Sequence, residues 1–312
     1  MDNPLVSIVI TSFNRLEELK ESVLRTKRDT AYSNIEIVIV DGGSTDGSAE
    51  FIESINEENI FPVILGEDRG SAYSHSKGME FAKGKYLVTI DDDCYLKPKS
   101  IETMVKIFEK YENLAIIGFG LVNPNIVDNS HDYWDDISVV EDSNNYTNEY
   151  QTMNYASACG YRKSVLDKIG CMSYDWSWST RSEDVELNIR AISNGYNSVM
   201  IPEIVAYHKV SPSHRPNDLL TINGIHGMIW ILLKYYPFFL RWVIMFKVFR
   251  YCIYFSILNN NLIYLKAIIR SFENSNKMLT NKPKLKWSVA RKIHTPTIWL
   301  FSIGSDSKWA GE

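Results

Sequence analysis

Four short runs of apolar, largely β-branched residues, separated by helical stretches, constrain this chain more than any other feature. Residues 5–11 (LVSIVIT), 35–40 (IEIVIV), 62–65 (PVIL) and 85–90 (KYLVTI) read as buried strands. Between them, 15–28 is charged and helical, with Leu16, Leu19, Val23 and Leu24 at helical spacing. A second helix starts near Asp46, whose side chain is suited to cap it, and 71–83 is a third. Strand and helix alternating at this pitch predict a doubly wound, mostly parallel α/β sheet of right-handed βαβ units. Such sheets bind ligands outside the carboxyl ends of their strands. The polar residues that stand out fall at those ends: Thr11 to Arg15, Asp41, Asp68 and Asp91 to Asp93.

Beyond residue 95 the pattern changes. A helix over 98–112 follows Pro98, 114–122 is apolar, and 123–150 is polar and acidic and reads as a loop. Residues 164–169 and 183–194 are helical, 198–207 is a strand, and Pro212 and Pro216 mark a boundary. The chain has 312 residues, enough for one large domain or two ordinary ones. At 45% hydrophobic and 23% charged it is neither disordered in bulk nor fibrous. No basic segment precedes the first apolar run, so the start does not read as a secretory signal. Cys94, Cys159, Cys171 and Cys252 form no CxxC pair, which argues against a zinc site or a disulfide framework and suits a reducing cytosol.

The net charge of −5 conceals a division: residues 1–218 carry −15 and residues 219–312 carry +10. Nucleic-acid binding is disfavoured by the acidic front. Residues 219–272 hold no acid, but Lys234, Arg241, Lys247, Arg250, Lys266 and Arg270 lie there among many aromatic and aliphatic residues. No uncharged stretch reaches the ~18 residues a spanning helix needs. The pattern predicts helices in a membrane interface, basic side chains toward anionic lipid; the alternative is a helical subdomain packed on the front domain.

Several motifs carry chemistry. Asp91-Asp92-Asp93 directly follows a buried strand, and three adjacent carboxylates need a counter-charge. Mg²⁺ or Mn²⁺ bridging substrate phosphates would supply it; a solvated acidic turn is the structural alternative. In Asp41-Gly42-Gly43-Ser44-Thr45-Asp46 a strand-end carboxylate can accept from a base or ribose while the glycines admit backbone close to a ligand. Asp68-Arg69-Gly70 and Lys77-Gly78 follow. Glu183-Asp184 opens a helix, either as macrodipole-favoured capping or as a carboxylate base aimed into a cleft. His208 ends an apolar strand, where it is either structural or a completing metal ligand.

Taken in order, VSIVITSFNR, VIVDGGSTD, D-x-G…K-G, the strand-end Asp-x-Asp and the late Glu-Asp resemble the family-2 nucleotide-sugar glycosyltransferases with the GT-A fold, over about residues 4–215. The resemblance implies a catalytic domain over 1–215, with a nucleotide-sugar half (1–94) and an acceptor half (95–215), and a basic helical region over 216–312. It places Asp41 and Asp68 near base and ribose, and Thr11, Asn14, Arg15, Asp91 and Asp92 in the same donor pocket. Asp93 becomes the direct ligand of Mn²⁺ or Mg²⁺ with His208, Arg215 holds diphosphate, Asp184 is the base and Glu183 lies on the acceptor side. One base and no protein nucleophile imply inversion at the anomeric carbon. The implied reaction moves one sugar, from a UDP sugar, to a hydroxyl of a glycan or lipid-linked saccharide at the inner membrane face. The processive-synthase signature QxxRW is absent. Two departures stand out: Thr11-Ser12 where many members have proline, and His75-Ser76 where they often have Arg-Asn. The competing readings are a sugar nucleotidyltransferase, whose Gly-rich N-terminal loop is missing, and a non-catalytic glycan-binding protein.

Overall fold

The computed structural model describes residues 3–124, 157–174, 182–209, 217–272, 285–290 and 293, the side chains of 217–220 excepted. Most of the acidic loop expected over 123–150, Pro212, Arg215, Pro216 and much of the basic tail lie outside the described residues. The chain divides into two compact units. The first comprises Met1–Glu149, Tyr155–Ser177 and Tyr196–Pro212; the second comprises Tyr150–Asn154, Trp178–Gly195 and Ser213–Glu312.

The first unit is an eight-stranded sheet in the order β3-β2-β1-β4-β7-β6-β8-β5. Its strands are β1 (Val6–Ser12), β2 (Ile35–Asp41), β3 (Ile60–Ile64), β4 (Tyr86–Asp91), β5 (Cys94–Leu96), β6 (Leu114–Val122), β7 (Ala158–Arg162) and β8 (Asn197–His208). Strands β1 to β4 pair in parallel, as the apolar runs predict, and β6 is parallel to β8. Strand β7 runs antiparallel to both β4 and β6, and β5 runs antiparallel to β8. The chain leaves β1 toward β2 on one side and takes β4 on the other, which makes the switch-point crevice of a doubly wound sheet.

Helices cover both faces. Ile8, Ile10, Ile37, Ile39, Val88 and Ile90 pack with Leu19 and Val23 of α1 (Leu16–Asp29), Ile52 of α2 (Ser48–Ser54) and Met104 and Phe108 of α4 (Ser100–Lys110). Full burial of each such side chain contributes about 1.5–3 kcal/mol. The intervening positions face α3 (Ser71–Phe81), where a methyl on Gly78 would stand 2.3 Å from Val9 Cγ1. Gly78 therefore serves close helix–sheet packing. Leu24, read above as part of the apolar stripe, is exposed because α1 turns its flank to water there. Asp46 is not the residue that caps α2; Gly47 holds that position at φ 95°. Asp46 Oδ1 accepts from Ser48 N at 3.1 Å and Oδ2 from Leu16 N at 2.9 Å, so it serves the starts of two helices. The short α5 (Lys163–Ile169) completes this unit.

The second unit is helical: α6 (Glu183–Ser193), α7 (Asn217–Tyr235), α8 (Phe238–Leu258), α9 (Ile263–Phe272) and α10 (Trp287–Ala290). Helices α6 and α7 meet closely, since a methyl on Gly227 would fall 2.1 Å from Ser182 Oγ. Among the described residues, no helix is long and apolar enough to cross a membrane. The expectation that all six bases of 219–272 face lipid is corrected for two of them. Lys234 is buried because it pairs with Glu186 at 2.8 Å. Arg241 is buried because it turns inward and donates to Tyr236 O at 3.0 Å.

Candidate catalytic site

Strand register assembles the site in the first unit. Thr11 pairs with Asp91 and Ser12 with Asp41, so the ends of β2, β1 and β4 lie side by side. Two residues after β4 the chain enters β5, where Cys94 pairs with His208 at the end of β8. That pairing brings His208 Nε2 to 3.3 Å from Asp93 Oδ1. Arg15, at the start of α1, reaches Asp92 Oδ1 at 3.0 Å and Asp93 Oδ2 at 3.3 Å. Ser12 Oγ donates to Asp92 Oδ2 at 2.8 Å.

The departures from the family pattern also turn toward the acids. His75 on α3 is buried, with Nε2 3.3 Å from Thr11 Oγ1 and 3.6 Å from Asp91 Oδ1. Its Nδ1 lies 3.0 Å from Ser71 O, which orients the ring. Ser12 lies within the strand-end stretch Thr11 to Arg15 that the sequence singles out, whereas His75 is a site residue that sequence reasoning noticed only as an exception. Its signal was that it departs from the pattern at a polar position next to motif residues.

Crowding perturbs the acids. Burial first, then Asp93, pushes the Asp91 carboxyl up to about 6, against His208, Ser157 and Arg15. Burial also lifts Asp92 to about 6, although Arg15 and Ser12 favour its charged form. His208 is raised: burial opposes protonation, but the hydrogen bond and charge of Asp93, with the charge of Asp91, outweigh it. The donor atoms of Asp93, Cys94 and His208 all lie within 4.8 Å of one another. A carboxylate oxygen and an imidazole nitrogen this close together are a donor set that could hold a divalent cation. Burial holds the Cys94 thiol well above its ordinary value, and its soft sulfur is a poorer partner for a hard ion than the oxygen of Asp93.

The neighbouring loop is built around Asp41. It is buried, and its Oδ2 accepts from Gly43 N at 2.9 Å and Ser44 N at 3.0 Å. Its Oδ1 is buried and has no hydrogen-bond partner among the described residues. Gly43 at φ 94° passes so close to Glu67 that a Cβ would fall 2.6 Å from its backbone. Asn14, at φ 53°, ties this loop to α1: its N donates to Ser44 Oγ and its Oδ1 accepts from Thr45 N. Asp68 is exposed and accepts from Gly70 N at 2.8 Å, a contact within its own loop. Arg215 lies outside the described residues.

In the second unit, Glu183 and Asp184 are buried at the start of α6. Glu183 Oε2 accepts from Ser182 N at 2.9 Å. One turn on, Glu186 is fully buried among Arg190 (3.1 Å), Lys234 (2.8 Å) and the Tyr235 hydroxyl. Burial alone would raise the Glu186 carboxyl, but these three groups outweigh it and hold it below its ordinary value. This network fixes the helix that carries Asp184, and sequence reasoning had treated Lys234 as a surface charge.

The sequence model of the family described as Glycosyl transferase family 2 matches residues 7–170. Glycosyltransferase GlyG of Streptococcus pneumoniae is 34% identical over 116 residues, 36% of this chain and 38% of that protein. The undecaprenyl-phosphate 4-deoxy-4-formamido-L-arabinose transferase of Pseudomonas savastanoi is 30% identical over 171 residues, 52% of this chain and 48% of that protein. The matched stretches therefore span less than half of either relative's own length. Among solved structures, a mannosyltransferase of Pyrobaculum calidifontis in complex with GDP-Man and Mn²⁺ superposes with a TM-score of 0.57 at 14% identity. It covers 99% of this chain and 88% of that one. That likeness establishes a shared GT-A-type fold.

Proposed function

Because the chain belongs to glycosyl transferase family 2, we propose that it moves one sugar from a uridine diphosphate sugar to a hydroxyl of a glycan or lipid-linked saccharide, with inversion, in cell-surface polysaccharide synthesis. The observation that carries this reading is the meeting of Asp93 and His208, 3.3 Å apart, beside the switch point of the sheet. The catalytic domain would span 1–215, with donor binding in 1–94, acceptor binding in 95–215 and the helical region in 216–312.

Asp41 supports a donor base that carries a ring N–H, as uracil does in common with thymine and guanine. Its buried, unpartnered Oδ1 is an acceptor suited to a ring N–H. Thr11, Asn14, Arg15, Asp68, Asp91, Asp92 and Arg215 would line the rest of the donor pocket. Asp93 and His208 would hold Mn²⁺ or Mg²⁺, which stabilises the charge of the departing diphosphate. Asp184 would take the acceptor hydroxyl's proton as that oxygen attacks the anomeric carbon and the bond to diphosphate breaks. Glu183 would sit on the acceptor side. With no protein nucleophile in this account, one displacement inverts the carbon.

The Pseudomonas relative is named for an undecaprenyl-phosphate substrate, which supports a lipid-linked acceptor and a place at the inner membrane face. A panel of UDP-, dTDP- and GDP-sugars, assayed for donor hydrolysis with and without Mn²⁺, tests the proposal. Metal-stimulated hydrolysis of a UDP-sugar is expected. Hydrolysis of none, or equal rates in EDTA, would overturn it.

A further inference from the structure

Helix α8 has two unlike faces. Arg241, Met245, Val248, Cys252 and Ser256 are buried on one. The other carries Phe239, Trp242, Phe246, Ile253 and Ile257, which are 70%, 47%, 64%, 50% and 76% exposed. Their spacing keeps them on one stripe about 27 Å long at 1.5 Å per residue. An apolar stripe of that length open to water, broken only by Arg250, marks an interaction surface.

The charges beside it identify the partner. Lys247 and Arg250 lie on the exposed side of α8, and Lys266 is exposed on α9. Residues 219–272 contain no acidic residue, so the surface around the stripe is cationic. Aromatic rings with bases interspersed, on a helix not apolar enough to cross a bilayer, match the chemistry of a helix lying in a lipid interface.

We propose that the outward face of α8 seats in the interface of an anionic lipid bilayer, with Lys247, Arg250 and Lys266 on lipid phosphates. Arg250 stands in the middle of the stripe, and its aliphatic stem lets the guanidinium reach up to headgroups, which keeps the helix shallow. Lys234 and Arg241 take no part, being buried. The contact would serve the lipid-linked acceptor proposed above, but it stands on exposure and charge and is measured without any donor or acceptor.

The test is co-sedimentation of the full chain with vesicles of phosphatidylcholine alone and of phosphatidylcholine mixed with phosphatidylglycerol, over a range of salt. Binding is expected only to the anionic vesicles and should fall as salt rises. Each base near an anionic surface contributes about fivefold in partitioning, so the Lys247→Glu/Arg250→Glu variant should bind at least about 25-fold more weakly. Trp242→Gln/Phe246→Gln should also lose binding, through the apolar part. These positions are exposed, and circular dichroism with thermal unfolding checks that each variant is folded. Wild-type protein left in the supernatant at low salt would overturn the proposal, as would full binding by both double variants. A dimer in sedimentation velocity that Phe246→Gln dissociates, without vesicle binding, would show that a second copy covers the stripe instead. Donor hydrolysis without vesicles is read separately, so loss of one reading leaves the other standing.

Discussion

Cys94 and His208 face each other across the β5–β8 ladder, and that register sets His208 Nε2 3.3 Å from Asp93 Oδ1. A three-residue strand thus joins a carboxylate turn to a histidine far along the chain. If this pair holds a cation, Asp93→Ala should lower transfer at least about a hundredfold, since metal stabilisation of leaving-group charge is worth several kcal/mol. Nucleoside-diphosphate affinity should fall only when Mn²⁺ or Mg²⁺ is present. Full activity of the wild type in EDTA would sink the idea.

Asp184→Asn tests the base. Proton transfer by a positioned carboxylate contributes about 10²–10⁴-fold, so the turnover rate should drop by that order while donor affinity is kept. Asn preserves the shape at this buried site, 2% exposed, where a larger change would disturb packing. Turnover near the wild-type value would move the role to Glu183 or another acid.

For Asp41 the expected loss is in binding. Asp41→Ala removes the unpartnered Oδ1 and also the Oδ2 that organises Gly43 and Ser44. Asp41→Asn keeps an oxygen for that turn, so comparing the two separates ligand contact from loop order. Calorimetry should show weaker nucleoside-diphosphate binding for both, the larger loss for Ala. Unchanged affinity in both would remove Asp41 from the pocket.

Much of this architecture was legible because β1, β2 and β4 are rich in β-branched apolar residues, and β2 and β4 end on the carboxylates Asp41 and Asp91. Strand β7 was not: ACGYR holds no β-branched residue, and pairing with β4 and β6 imposes its extended form. Its Gly160 leaves room for Met104, where a Cβ would fall 2.4 Å from Sδ. The acids of the site could be read from their places at strand ends. The partners that hold them, Ser12 and His75, emerge only once β1, β4 and α3 are side by side. Lys234 was misread for the same reason, since its partner Glu186 belongs to a helix distant in sequence.

That misreading makes Lys234 informative. Lys234→Ala takes one of two cations from the fully buried Glu186 and leaves it Arg190 and the Tyr235 hydroxyl, and losing a hydrogen bond to a charged group costs about 1.5–3 kcal/mol. Denaturant unfolding should show a loss of that order. A double-mutant cycle with Glu186→Gln should show coupling between the two positions, because the hydrogen bond lost in each single variant is the same one. A loss under about 0.5 kcal/mol would mean the pair is solvated in solution.

His226 predicts a pH dependence of a different kind. It is buried in α7, its ring centroid 4.4 Å from that of Trp230, and neither ring nitrogen has a hydrogen-bond partner among the described residues. Burial first, then the charge of Arg270, pushes its pKa down to about 4 from 6.5. The unfolded chain therefore takes up a proton below about 6.5 that the folded chain refuses until about 4. Stability from this group is complete above the higher value and falls as pH drops through that window, by about 3 kcal/mol in all. His226→Phe removes the titration and keeps a ring against Trp230. Thermal unfolding should show the variant gaining on the wild type as pH falls from neutral through that window. Other groups that lose stability in acid, Glu186 among them, act on both proteins alike, so the difference isolates His226. Parallel pH profiles for the two proteins would mean the imidazole is hydrated and free to protonate.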